Sequence, residues 1–197
     1  MSKSDPSASK NQRNKTIRWV VIIFFVTILV SGIISLISEE IMDGSNIPTA
    51  FLILLTIVFI GIIFDVIGVS VTSADETPFH AMAARKVPGA KEAIRLLRQA
   101  EKVSSICNDV VGDICGVVSG SASATIAVQL LQHFDVSWPR IVGLIMSALV
   151  AGLTVGGKAV GKTFAVNSST FIVHFVGKVI WWFGNLPTLI TSKKTKG

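Results

Sequence analysis

From Thr49 to Val71 the chain carries one charged residue, Asp65, in an otherwise apolar run. A run of that length matches the roughly 20 residues a helix needs to cross the hydrocarbon core of a bilayer. Lipid offers no partners for backbone N–H and C=O groups, so the run has to be helical. A second run, Trp19 to Ile37, has no charge at all. These two stretches set the fold class, an all-α polytopic membrane helix bundle. With half of its 197 residues hydrophobic and only 15% charged, the chain is too apolar for an ordinary soluble domain of its length.

Two weaker spans follow. About Ile106 to Leu131 is rich in small residues, with Gly112, Gly116 and Gly120 four apart, a row that lets helix backbones approach closely. About Arg140 to Val155 is the fourth span, followed by Gly156-Gly157-Lys158-Ala159-Val160-Gly161-Lys162. Between the second and third spans, Thr72 to Ser105 carries Arg85, Lys86, Lys91, Arg95, Arg98 and Lys102, with Ile94, Leu97 and Val103 at helical spacing. This predicts an amphipathic cytoplasmic helical hairpin lying on the membrane surface. A last apolar stretch, Phe171 to Phe183, is short for a span and is interrupted by His174 and Lys178. It reads as a C-terminal interfacial helix with Trp181 and Trp182 at headgroup level. The resulting organisation is a basic N-terminal segment (1–18), an anchor helix and external loop (19–48), a transmembrane domain (49–183) and a basic tail (184–197).

Orientation follows from the basic residues. Five precede the first span, six lie between the second and third, six follow the fourth, and only Arg140 falls on the other side. Lys and Arg collect in cytoplasmic loops, which places both termini in the cytoplasm of a plasma-membrane protein with four spans. The formal charge of +6 has the same explanation, and nucleic acid is not an expected partner. The first apolar run lacks a small-residue cleavage site, so it reads as an uncleaved anchor. Cys107 and Cys115 lie eight residues apart in one predicted helix, too far for a bridge, and no cysteine–histidine metal spacing occurs.

Asp65 needs an electrostatic reason to exist where it does. It lies in the last third of the second span, and an unpaired charge inside a bilayer costs on the order of several kcal/mol, so a cation or a donor has to sit beside it. Two partners are open: a bound metal ion, or Lys158, which would lock two helices together. Asp109 and Asp113 share a helical face at the start of the third span, where they are either ligands or hydrated, helix-capping acids.

Phe64 to Ser73, Gly89-Ala90-Lys91, Arg95-Leu96-Leu97, the polar helix start at Asn108 and Gly157-Lys158-Ala159-Val160-Gly161-Lys162-Thr163-Phe164-Ala165 together resemble the membrane domain of the cyclin M / CorB / CorC magnesium transporters. The resemblance covers about residues 49 to 183 and implies three spans with the N-terminus outside, preceded here by an added anchor. There are departures. Asp65 stands where the family has a serine, Gly68 and Lys158 where it has glutamates, and Gly161 where it has a proline. Asn108 matches the family's asparagine with about one helical turn deleted, and Val111 takes that place without the deletion. The nucleotide-binding CBS pair of the family has no counterpart up to Gly197.

The resemblance implies a homodimer that binds partly dehydrated magnesium between its helices, with sodium as the coupling ion. Magnesium wants oxygen ligands in an octahedron and keeps several waters, so one or two carboxylates and an amide suffice. Asp65, Asn108, Asp109 and Asp113 supply candidate oxygens, and Thr72 lies about 20° from Asp65 around a helix. Gly157 and Gly161 flank Lys158 as candidate gating or charge-partner positions. The expected function is divalent-cation binding or transport, not enzymatic. A transport-inactive scaffold or partner subunit of the same fold is the alternative. An intramembrane aspartyl protease, using Asp65 and the aspartate of Val110-Val111-Gly112-Asp113 as acid and base, is a third.

Topology is testable by cysteine accessibility. In a background with Cys107→Ala and Cys115→Ala, Ser45→Cys is expected to label from outside intact cells and Ser192→Cys only after permeabilisation. Labelling at position 192 from outside would overturn the four-span orientation.

Overall fold

The computed structural model describes residues 6–43, 45–133 and 138–192, and every element among them is helical. They are α1 (Pro6–Asp43), α2 (Ile47–Ser73), α3 (Thr77–Ala84), α4 (Ala90–Arg98), α5 (Ala100–Ser105), a π-helical turn (Ile106–Val111), α6 (Gly112–His133), α7 (Pro139–Asn167) and α8 (Ser169–Ser192). Part of each turn expected to be external, Gly44 and residues 134–137, and the ends of both basic termini, residues 1–5 and 193–197, lie outside the described residues. Four helical stretches are long and apolar enough to cross a membrane: Ile17–Met42, Ile47–Ser73, Ala100–His133 and Pro139–Asn167. Each overlaps one of the four expected spans. Pro48 and Pro139 sit in first turns, where a missing N–H costs nothing.

The fourth span differs in extent. The sequence suggests an end near Val155, but α7 runs on through Gly156 and Gly157 to Asn167. The glycines do not break it because two of the next turns pack tightly on α2. A Cβ at Gly161 would lie 2.7 Å from Val66 Cγ2, and one at Gly157 would strike Ile62 Cδ1. Lys158 and Lys162 therefore lie inside a helix rather than in a loop.

Two buried clusters stack along α2. One joins Met42 of α1, Ala50, Leu54 and Val58 of α2, Ala122, Ile126 and Ala127 of α6, and Met146 and Val150 of α7. Gln129 reinforces it by donating from Nε2 to the Met42 carbonyl at 3.0 Å. The other cluster, at the far end of α2, consists of Val71, Phe79, Ala93 and Val173, from α2, α3, α4 and α8. Asp65 falls between them.

Lys86 (φ 56°) and Gly89 (φ 84°) turn the chain between α3 and α4, which pack against one another. Glu76 ties the two helices at the surface, accepting from Arg98 Nε at 3.0 Å and contacting His80 Nε2 at 3.1 Å. Exposed pairs of this kind contribute only about 0.2–1 kcal/mol. Asp75 accepts from the backbone N–H and hydroxyl of Thr77, which hold its carboxyl below the ordinary carboxylate range.

The C-terminal helix is longer than its apolar stretch suggests. It starts at Ser169, separated from the end of α7 by Ser168 alone, and packs against α4 and α2. His174 is not a fully solvated group, because its Nε2 is buried without a hydrogen-bond partner. Gly177 of α8 meets the α3–α4 turn at Gly89 backbone to backbone: a Cβ at Gly177 would lie 3.0 Å from Ala93 N. Gly177→Val is thus expected to pry α8 from the hairpin and lower stability by about 1–3 kcal/mol, the usual cost of overpacking. Gly116, which has open space around it, gives the contrast. Gly116→Leu is expected to leave the melting temperature of the folded chain unchanged, with any effect confined to association between copies. Equal melting of both variants in detergent would contradict this packing.

Candidate functional site

Asp65 is 4% exposed, the only charged residue among the buried ones described. Its helix supplies no second charge, so its neutralisation comes from α7. Lys158 Nζ lies 3.9 Å from Oδ1 and Lys162 Nζ lies 4.0 Å from Oδ2. Those separations are ionic contacts, longer than direct N–H···O hydrogen bonds. Positions 158 and 162 are one turn apart on a helix, so both ammonium groups reach the same carboxylate. The Lys158 side chain keeps 24% of its exposure and that of Lys162 keeps 56%, so Lys158 is the more desolvated partner.

Asn108 closes the other side. Its amide lies against Gly68, one turn along α2 from Asp65, where a Cβ at Gly68 would strike Asn108 Oδ1. Asn108 Nδ2 donates to Ser104 Oγ at 3.2 Å, while Oδ1 has no hydrogen-bond partner. Asn108 lies in the π-helical turn, whose closing bond runs from Gly112 N–H to the Cys107 carbonyl. Such a turn inserts one extra residue, which re-aims a side chain without rotating the helix beyond it. Here it sets Asn108 on α2 while Ile114, Val118, Ala122 and Ile126 still face the core. The position that meets α2 at Gly68 is accordingly Asn108. Gly112 is the neighbour of Lys158, with a Cβ there lying 3.3 Å from Nζ.

The remaining candidates lie elsewhere. Asp109 is exposed and accepts from Ser105 Oγ at 2.8 Å. Asp109 and Asp113 share a face, as their spacing implies, and line a groove against α1 with Trp19, Ile23 and Phe24. Thr72 is exposed and its hydroxyl turns back to the carbonyls of Val69 (2.9 Å) and Gly68 (3.4 Å). The structure therefore brings together Asp65, Asn108, Lys158, Gly157 and Gly161, and leaves Thr72, Asp109 and Asp113 apart from them. Among the described residues no three acids, histidines or cysteines gather as a metal centre. Asp65 and Asp113 do not form a carboxylate dyad, since one faces α7 and the other α1. Cys107 and Cys115 are both free, and Cys115 packs on Gly61.

Sequence reasoning missed Lys162 and the π-helical turn. Lys162 was legible in principle, because once the fourth span continues past Gly157 the four-residue spacing places it beside Lys158. No family model, curated protein or solved structure matches this chain.

The Asp65–lysine contact makes a quantitative forecast. Asp65→Asn strands Lys158 and is expected to destabilise the protein by roughly 3 kcal/mol, the low end for breaking a buried pair because Lys158 stays partly exposed. Adding Lys158→Met is expected to recover much of that, giving a coupling of about 1 kcal/mol or more in a double-mutant cycle by thermal or denaturant unfolding in micelles. Additive losses would show that the contact carries no stability.

Proposed function

We propose that this chain is a membrane helix bundle of CorB/CorC-like arrangement that works as a transport-inactive scaffold or partner subunit. The observation that supports this reading is the pair of lysine ammonium groups on the one buried carboxylate. They put a tethered positive charge where a transporter of that arrangement would hold its cation. A divalent ion would meet two like charges and a single carboxylate, a poor set for an ion that needs several oxygen ligands. In this reading Asp65 fastens α2 to α7, and the uncontacted small-residue positions Gly116, Gly120, Gly152 and Gly156 are open for a second copy or another membrane helix.

A second reading, binding and transport of magnesium or another divalent cation with sodium as coupling ion, has one observation in its favour. Asp65 Oδ2 and Asn108 Oδ1 are buried without hydrogen-bond partners. If the lysines swung out, these oxygens would be the first two ligands. The two readings separate by heat. A ligand at 100 times its Kd stabilises the folded state by about 2.7 kcal/mol, which raises the melting temperature by several degrees. The scaffold reading expects no shift in the purified wild-type chain on adding magnesium beyond that seen with equal ionic strength of sodium. A magnesium-specific rise that disappears in Asp65→Asn would establish the second reading instead.

A further inference from the structure

The α3–α4 turn and α8 enclose a cavity of about 310 Å³ lined by Lys86, Val87, Pro88, Lys91 and Trp181, with Glu92 in its wall. Lys86 and Lys91 are both exposed, and neither has an ion-pair partner among the described residues. Glu92 is the one acid in the lining, so the cavity keeps an excess positive charge. The nearby Glu76 is already engaged by Arg98 and His80. The outer side of α8 exposes Phe171, Phe175, Trp182 and Phe183, each at least half exposed. In a chain with four span-like helices, that apolar side is suited to acyl chains. Trp181 and Trp182 have the amphipathic rings that settle at the headgroup level. The cavity thus joins two unneutralised ammonium groups to a half-buried tryptophan, beside a helix with an apolar flank.

We propose that this cavity holds the phosphate of an anionic phospholipid from the leaflet on the hairpin's side, with Lys86 and Lys91 contacting the phosphate and Trp181 packing against the glycerol and upper acyl chain. The excess cation selects an anionic headgroup over a zwitterionic one. The assignment depends on the membrane placement of the helices and not on what Asp65 does, so it stands or falls apart from the proposed function.

The test uses the full chain in detergent micelles, with native mass spectrometry counting bound lipid during titration with phosphatidylglycerol, phosphatidylcholine or inorganic phosphate. Phosphatidylglycerol is expected to bind at one saturable site and phosphatidylcholine more weakly. Lys86→Asn with Lys91→Gln is expected to weaken phosphatidylglycerol roughly thirtyfold, about fivefold per lysine near an anionic headgroup. Asparagine at position 86 tolerates the left-handed backbone there. Arg95→Gln with Lys102→Gln removes the same charge elsewhere on this side of the protein and is expected to change binding less than threefold. Should the first pair lower the folded yield, Lys91→Gln alone is read, with an expected loss of about fivefold. An equal loss in the control pair, equal affinity for phosphatidylcholine, displacement of the lipid by millimolar inorganic phosphate, or unchanged binding in Lys91→Gln would each overturn the assignment.

Discussion

A single carboxylate in the last third of an apolar helix is the constraint from which the rest of this bundle follows. Asp65 is buried, so its charge has to be met by another part of the chain or by an ion. That partner is α7, which brings Lys158 and Lys162 to within 4.0 Å. That arrangement forces α7 to remain helical well beyond its most apolar portion, because a chain that unwound at Gly156-Gly157 would carry both lysines away. It also fixes the rotation of α7 about its axis, since only one face of the helix presents positions 158 and 162.

Charge alone does not hold two helices together in lipid, where the tails are as apolar as the side chains and burial gives little drive for association. The complementary device is close approach. Gly157 and Gly161 lie on the α2-facing side of α7 and admit Ile62 and Val66, so dispersion contacts are made at the same turns that deliver the lysines. Gly68 does the same for Asn108, and Gly61 for Cys115. Each of these four contacts occurs on α2, which is why that helix touches α6 and α7 over much of its length. The π-helical turn belongs to the same economy of space: it admits one extra residue into the third span so that Asn108 can meet Gly68 without displacing the apolar face of α6.

Much of this was legible in the sequence, and the unequal legibility has physical causes. The first two spans were clear because uninterrupted apolar runs have no other stable solution in a bilayer. The helical character of the segment between the second and third spans was legible because its charges and apolar residues segregate at helical spacing. Asp65 and Lys158 were marked as a possible pair by their cost. The end of α7 was not legible, because a Gly-Gly followed by lysines reads as a loop unless the partner surface of α2 is known. The π-helical turn left no local signal either. Its residues are ordinary helix residues, and the extra one is tolerated for the sake of a tertiary contact. Asp109 and Asp113 were grouped with Asp65 by their spacing on another helix, which says nothing of how the two helices are rotated against one another, whereas Thr72 shares the Asp65 face of α2 but lies two turns further along, with its hydroxyl turned back to Val69 and Gly68.

The sign of the charge at the site carries the functional consequence. One buried carboxylate faces two ammonium groups, so the cluster is positive overall, and Lys162, at 56% exposure, is the member that solvent can reach and screen. Lys158 and Asp65 are left as the desolvated couple, nearly neutral together and separated by 3.9 Å. At that distance neither group satisfies the hydrogen-bonding capacity of the other. The unpartnered oxygens of Asp65 and Asn108 therefore require a donor, and a water molecule answers that need at far lower cost than a divalent ion held against two cations. A site of this sign suits the fastening of α2 to α7 that we propose for it, and it needs no change in the backbone that surrounds it.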